Sequence, residues 1–514
     1  MPFGSITLVP GVNTERTPLL LRAGVSQSQL IRYRDSLVQK LGGWQKYYQF
    51  AVGGIPRDLH AWQDLDNIKY LSIGTTSQLA IISNNVLQDI SPQVLTSNFA
   101  VANITATVGS NVIMITDPNI ANVTIEDSIV FNTPVSVGGL ILSGLNQITQ
   151  VTGINSYQIQ AASNATTTAV AVVPNFQTTL SSSTVLVTFT NHQQSVGSVI
   201  NFIIPTTGNG VTILGEYKIL TIPTADTFTI AASTLATATG SFSMNGGEVQ
   251  LVYQIAQGPA AAGTGFGLGG FGLGGFGTGV VPTSQTGVDL ASVSWTTDNW
   301  GEILIACPIN GGIYFWQPGS GFQTASIIAT APPYNGGIFI STTQQILVAW
   351  GSSVAVGIGV QQQPLLVQWS DVSNFFQWQA TAATQAGNFT IPLGSKLVSG
   401  LAVSNQNLLW TDLDLWAMNY IGPPDVFGFV KIGAGMGAAS AHSVQQLRGS
   451  VFWMGISNFY YYSGGSANVM PCPVWDAVFQ NLNTAFAENI CAMPDTPFNE
   501  IGWLSFGCFS YRRK

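Results

Sequence analysis

The chain has 514 residues, of which only 7% are charged and 46% hydrophobic, with 13 Trp, 14 Tyr and 27 Phe. So many aromatics exclude a disordered chain, and no run approaches the roughly 18 consecutive apolar residues of a membrane-spanning helix. The net charge of −8 is unevenly divided: residues 1–69 hold eight basic against five acidic residues, whereas between 70 and 511 only Lys218, Lys396, Lys431 and Arg448 oppose eighteen acids. Gripping nucleic acid without regard to sequence requires cations to neutralise phosphates, so the 70–511 body is excluded from that role, although its acidity suits it to repel a duplex. A neutral polar surface of this extent tends to associate, and neighbouring subunits are expected to cover much of it.

In chain order, residues 1–58 read as an amino-terminal arm and hairpin. Residues 5–22 are extended and broken at Pro10-Gly11, and 28–34 alternate near period two, which favours a β-hairpin over the helix that 27–37 could also form. MPFGSITLVPG lacks the basic and apolar regions of a signal peptide, so synthesis and folding are expected in the cytosol. Residues 59–95 hold four short strand patterns, Leu59–Trp62, Lys69–Ile73, Gln78–Ile82 and Val86–Ile90, with Gly74-Thr-Thr and Ser83-Asn-Asn as turn signals. That is the size of one propeller blade.

From 96 to 254 the composition changes, and no Asp, Glu, Lys or Arg occurs between Asp127 and Glu216. Phe131 and Phe202, Gly144 and Gly215, Ile148 and Ile219, Val151 and Ile222, and Ile159 and Ile230 each lie 71 positions apart. Matched positions at one offset predict two copies of a single unit, here a small β-sandwich or barrel inserted into the body. Residues 255–288 form a Gly/Phe-rich loop in which Phe266, Phe271 and Phe276 recur with period five. It reads either as an apolar loop that docks on a partner or touches a host envelope, or as a linker whose phenylalanines pack back on the body.

Residues 289–514 return to blade-like patterns. The sets begin at Val293–Trp300, Ile338–Ile340, Lys396–Val403 and Val444–Leu447, and each carries two or more aromatics to pack blade on blade. Trp475, Val478, Phe479 and Leu482 at i, i+3, i+4 and i+7 predict one helix, with Pro473 near its start. The fold class is therefore all-β, a propeller-like body of five or six blades with an inserted tandem of repeats.

Catalysis requires titratable groups gathered in one place, and the sequence offers few. His60, His192 and His442 stand in separate segments without metal-like spacing, and each reads as a hydrogen-bonded structural histidine. Asp64 with Asp66, and Asp412 with Asp414, could share one strand face as the paired acids of a glycosidase. Both pairs also adjoin turns, where Asp caps backbone amides. Cys307, Cys472, Cys491 and Cys508 form no C-x-x-C and read as isolated thiols. No phosphate-binding loop or nucleophile elbow is present. The expectation is a non-enzyme with no catalytic, cofactor or metal residues.

Several segments together resemble the tail hub or nozzle proteins of short-tailed bacteriophages, the tail tubular protein B family. They are Pro10-Gly-Val-Asn-Thr-Glu-Arg-Thr-Pro18, Leu30-Ile-Arg-Tyr-Arg-Asp35 with Lys40-Leu-Gly-Gly-Trp44, and Leu59-His-Ala-Trp-Gln-Asp-Leu65. In the second half they are Val367-Gln-Trp-Ser-Asp371, Trp410-Thr-Asp412, Tyr420-Ile-Gly-Pro-Pro424 with Phe427-Gly-Phe429, Val451-Phe-Trp-Met-Gly455 and Pro471-Cys-Pro-Val-Trp475. The resemblance implies a propeller subunit of the virion tail, assembled in the host cytoplasm as a ring, typically a homohexamer. Such a ring sits below the adaptor, contacts other tail proteins, and forms a channel for genomic DNA. It also implies further strands beyond Ile501, so either the last blade is incomplete here or the amino-terminal arm closes the circle. A carbohydrate-binding or glycoside-cleaving propeller is the alternative reading.

Overall fold

The computed structural model describes residues 9–505 apart from 17–23, 29, 35, 36, 43, 44, 50, 51, 77, 121, 122, 124–126, 255–293, 319–323, 354–361 and 405. The chain divides into two compact units, one formed by Met1–Ile90 with Ala291–Lys514 and the other by Ser91–Leu290.

The first unit is a propeller-like body of five four-stranded antiparallel sheets, each with its strands side by side in chain order. Blade 1 comprises Pro56–Gln63, Lys69–Thr75, Leu79–Ser83 and Val86–Asp89. Its last hairpin turns on Asn84 and Asn85, both at positive φ, the pair of left-handed residues that a two-residue turn between twisted strands demands. Blade 2 comprises Trp295–Trp300, Ile303–Pro308, Tyr314–Trp316 and Ser326–Ile327; blade 3, Gly337–Ser341, Ile346–Trp350, Leu366–Trp369 and Gly387–Thr390. Blade 4 comprises Leu397–Val403, Gln406–Thr411, Leu415–Gly422 and Val426–Gly433; blade 5, Val444–Leu447, Ser450–Met454, Phe459–Tyr462 and Ala467–Met470. A sixth sheet has two strands among the described residues, Cys491–Asp495 and Glu500–Leu504. The helix before it is short, Trp475–Phe479, and Val478, Phe479 and Leu482 pack toward Met454 and Ile490.

The first strands of successive blades are neighbours, and the apolar core lies between blades. Trp300, Ile305, Ile338, Leu347 and Trp378 pack between blades 2 and 3; Phe339, Trp350, Leu409, Trp416 and Phe427 between blades 3 and 4. Trp410 meets Trp453 edge-to-face at 5.6 Å between blades 4 and 5. Second strands are sandwiched on both faces, so Ile346–Trp350 is buried at every residue and reads as a continuous apolar run. The blades also approach closely where a side chain is missing: a Cβ on Gly400 would lie 2.6 Å from the Phe339 ring. Glycine is what lets blade 4 seat on blade 3 there.

The amino-terminal strands Ile31–Arg34 and Leu37–Lys40 form a hairpin. Arg32 stacks 3.5 Å over the Phe498 ring and lies 3.4 Å from Asp495 and 3.5 Å from Glu500, so the hairpin docks on the turn of the sixth sheet. Arg57 of blade 1 donates to Asn489 at 2.6 Å, just ahead of that sheet.

In the second unit, positions 71 apart occupy equivalent places. Ser128–Val137 pairs with Leu140–Gly153 as Val199–Gly208 pairs with Val211–Lys218. Phe131 opposes Gly144 before a register shift that resumes at Val135; Phe202 opposes Gly215 before one that resumes at Thr206. Both glycines have positive φ, +64° and +93°, so the bulge geometry explains why glycine stands at both positions. Ser156–Gln160 and Thr227–Ala231 are likewise equivalent, and each copy has its own core, around Tyr157 and around Phe202. Gln93–Ala100 and Glu248–Gln254, the strands entering and leaving the unit, pair with each other and extend the first copy into an eight-stranded sheet.

Candidate functional site at the axis of the blade body

Side chains along a strand alternate between two faces, so each first strand offers alternate residues to the blade before it and the blade after it. On Trp295–Trp300, Thr297 and Asn299 face blade 1, where Asp58 and His60 share one face of Pro56–Gln63. Thr297 Oγ1 donates to Asp58 Oδ2 at 2.5 Å, and His60 Nε2 lies 2.9 Å from Asn299 Oδ1. Thr296 and Asp298 face blade 3 instead, where their side-chain oxygens accept the backbone N–H groups of Ile338 and Ile340 at 2.9 and 2.8 Å. Burial raises the Asp298 carboxyl above the usual carboxylate range, against the opposing pull of His60 and the Ile340 and Asn299 N–H groups.

His442, just ahead of the first strand of blade 5, completes the cluster. Its Nδ1 lies 3.6 Å from Asp58 Oδ1 on blade 1, and its Nε2 lies 3.1 Å from Ser294 Oγ at the start of blade 2. Blades 3 and 4 stand between blades 2 and 5 in the order of sheets, so this ring reaches across the axis. Two histidines, two carboxylates and three hydroxyls (Ser294, Thr296, Thr297) thus gather where the sequence showed only separated residues. The only local sign is the period-two pair Asp58 and His60; Ser294 and His442 are 148 positions apart and leave none.

The carboxylates considered from the sequence sit elsewhere and are occupied. Asp64 accepts from Ile68 N at 2.8 Å and from the Tyr70 hydroxyl at 3.0 Å, and burial together with that hydrogen bond pushes the phenol pKa up to about 12. Asp412 caps the Ser395 amide and hydroxyl at 2.8 and 2.5 Å, while Asp414 accepts from Gly435 N at 3.0 Å and pairs with Lys431 at 3.6 Å. Asp66 is exposed. These are turn-fixing contacts. His192 is buried in the inserted unit, its Nδ1 accepting from Gln194 N at 3.0 Å. Phe266, Phe271 and Phe276 lie outside the described residues. Cys307 is fully buried, and that burial raises its thiol pKa. Among the described residues no three His, Cys, Asp or Glu are placed to hold a metal ion. A groove in the second inserted copy is lined by Gln177, Thr178, Ser182, Thr184, Leu186 and Ser241, with neither a titratable nor an aromatic side chain.

No family model and no curated protein matches the sequence. Among solved structures, the chain is similar to the phage phi92 endosialidase at 10% identity and a TM-score of 0.16, covering 89% of this chain and 58% of that one. It is similar to an auxiliary nutrient binding protein from Bacteroides thetaiotaomicron at 10% identity and a TM-score of 0.24, covering 74% and 85%. It is similar to PorZ of the Porphyromonas gingivalis type-IX secretion system at 9% identity and a TM-score of 0.24, covering 83% and 64%. The chain thus spans less than two thirds of the endosialidase and of PorZ. Likeness at this level assigns the chain neither activity nor partner.

Proposed function

We propose that the chain is a structural protein of a short phage tail, assembling with copies of itself into a ring, expected to be a homohexamer, that forms part of the nozzle through which DNA is retained and ejected. The observation that carries this reading is the meeting of blades 1, 2 and 5 through Asp58, Ser294 and His442. With these three side chains meeting across the blades, the conduit in this reading forms between subunits. Residues 70–511, in which four basic residues oppose eighteen acids, offer few cations to grip the phosphates of DNA passing such a conduit. The segments that resemble tail tubular proteins all fall in the blade unit, and none in the inserted repeats. Partners in this reading are the adaptor ring and other tail proteins, with host-envelope contact through the Gly/Phe loop.

Negative-stain images and sedimentation of the full chain test it. Closed rings that fail to retard duplex DNA at physiological salt are expected; monomers alone at tens of micromolar, or tight DNA binding, would refute it. The carbohydrate alternative gains nothing from the site, because Asp64, Asp412 and Asp414 are committed to turns.

A further inference from the structure

The axial cluster has an order of contacts that a brace alone does not require. Ser294 Oγ lies 3.1 Å from His442 Nε2, and Asp58 Oδ1 lies 3.6 Å from the other ring nitrogen, Nδ1. The second carboxylate oxygen of Asp58 is held by Thr297 Oγ1 at 2.5 Å, which fixes the carboxylate toward the imidazole. The Asp58 side chain is 10% exposed and that of His442 21%, and Ser294 is half-buried. In the tautomer that carries its proton on Nδ1, the nitrogen on the Asp58 side, Nε2 is unprotonated and able to accept from the serine hydroxyl. The geometry points to Ser294 as a base-activated nucleophile, with His442 as its general base and Asp58 as a positioning residue, acting on simple neutral carboxylic esters. Neutrality follows from the surroundings, since the Asp58 carboxylate disfavours a substrate that carries a carboxylate of its own.

The step balances without a cofactor. Ser294 Oγ bonds to the ester carbonyl carbon as its proton passes to His442 Nε2, and the carbonyl electron pair moves onto oxygen. When that pair returns, the bond to the alkoxy oxygen breaks and His442 returns the proton to the departing alcohol. Water, activated by the same nitrogen, then cleaves the acyl-serine and releases the carboxylic acid. This activity is separate from the tail role, and ring assembly is expected to survive loss of the serine.

The test is covalent labelling of the full chain with a biotinylated fluorophosphonate, the adduct located by peptide mass spectrometry, together with release of nitrophenolate from p-nitrophenyl acetate. One adduct on Ser294 is expected, absent in Ser294→Ala, with the labelling rate lowered about 10²–10⁴-fold in His442→Gln. Asp58→Asn should lower the labelling rate with Tm unchanged, whereas loss of a purely structural carboxylate would lower Tm. Each variant is checked for an unchanged tryptophan emission spectrum and unchanged ring formation. An unlabelled wild-type chain, or equal labelling of Ser294→Ala, overturns the assignment and leaves the three residues as a brace.

Discussion

Gly74→Ala tests how closely blades 1 and 2 pack. On strand preference alone the change should stabilise, because alanine loses less backbone freedom on folding, by about 0.5–1 kcal/mol. The structure reverses that sign. A Cβ at position 74 would lie 2.6 Å from Trp295 Cβ and Cγ and 2.7 Å from Cδ1. Trp295 has nowhere to go, being fully buried with its Nε1–H donated to Thr75 O at 3.0 Å. Overpacking costs about 1–3 kcal/mol, and an indole N–H torn from its acceptor about 1–3 kcal/mol more. The expected net loss is about 2–4 kcal/mol, or a fall in Tm of about 3–6 °C for a body of this size. Gly428→Ala is the control, since its Cβ would meet Ile421 at an ordinary 3.5 Å, and no loss is expected. All 13 tryptophans fall outside 91–290, so thermal melts followed by tryptophan fluorescence report on the blade body alone. A Gly74→Ala chain that melts at or above wild type, or a Gly428→Ala chain that falls as far, would refute the packing argument.

In the inserted unit, Asp117 is fully buried and accepts from Ser97 Oγ, Asn119 N and the Tyr253 hydroxyl at 2.9, 2.9 and 2.8 Å. Asp117→Ala, which orphans three donors, should cost about 3–5 kcal/mol and Tyr253→Phe about 1–2 kcal/mol, read as lost hydrogen-exchange protection in Gln93–Ala100 and Glu248–Gln254. Gly144→Ala and Gly215→Ala place a side chain at positive φ in open space, so each should cost about 1–2 kcal/mol through backbone strain alone, seen as urea-midpoint shifts of similar size. For Asp412, burial alone would raise the carboxyl, but the hydrogen bonds from Ser395 Oγ, Ser395 N and Lys396 N outweigh it and hold the pKa below the usual range. Its stabilising contribution is therefore present above the unfolded pKa and lost as pH falls through the folded one. The Tm gap between wild type and Asp412→Asn should shrink from pH 6 toward pH 3, and a gap that widens would contradict the sign.

The all-β class was legible because most first, second and third strands of the blades are apolar and bounded by turn residues. The fourth strands were harder to read. Gly387–Thr390 and Ser326–Ile327 are short and mostly exposed at the rim, so no alternation of apolar and polar residues marks them. The repeat in 96–254 could be read because a fixed offset survives even where single strands are ambiguous, and the paired bulges at Gly144 and Gly215 give it a structural cause. The axial cluster was illegible for a different reason. Asp58, Ser294 and His442 come from three blades, and only the closing of the blades against one another brings them into contact. The turn role of Asp64 was readable from its neighbours, since Ile68 and Tyr70 follow within six residues, whereas the partners of Asp412 lie 16 and 17 positions away.

The insertion between blades 1 and 2 sets a timetable for synthesis. Trp62 of blade 1 donates to Glu302 O at 3.1 Å, and Gly74 waits for Trp295, yet the whole Ser91–Leu290 unit must leave the ribosome first. At about 5–20 residues per second that is a delay of roughly 10–40 s, during which the first blade presents an uncovered apolar face in a crowded cell. The docking of Arg32 on Asp495 and Glu500 comes later still, after nearly the entire chain has been made. Early blades in such a protein have to tolerate a long exposure before the blades that cover them are made.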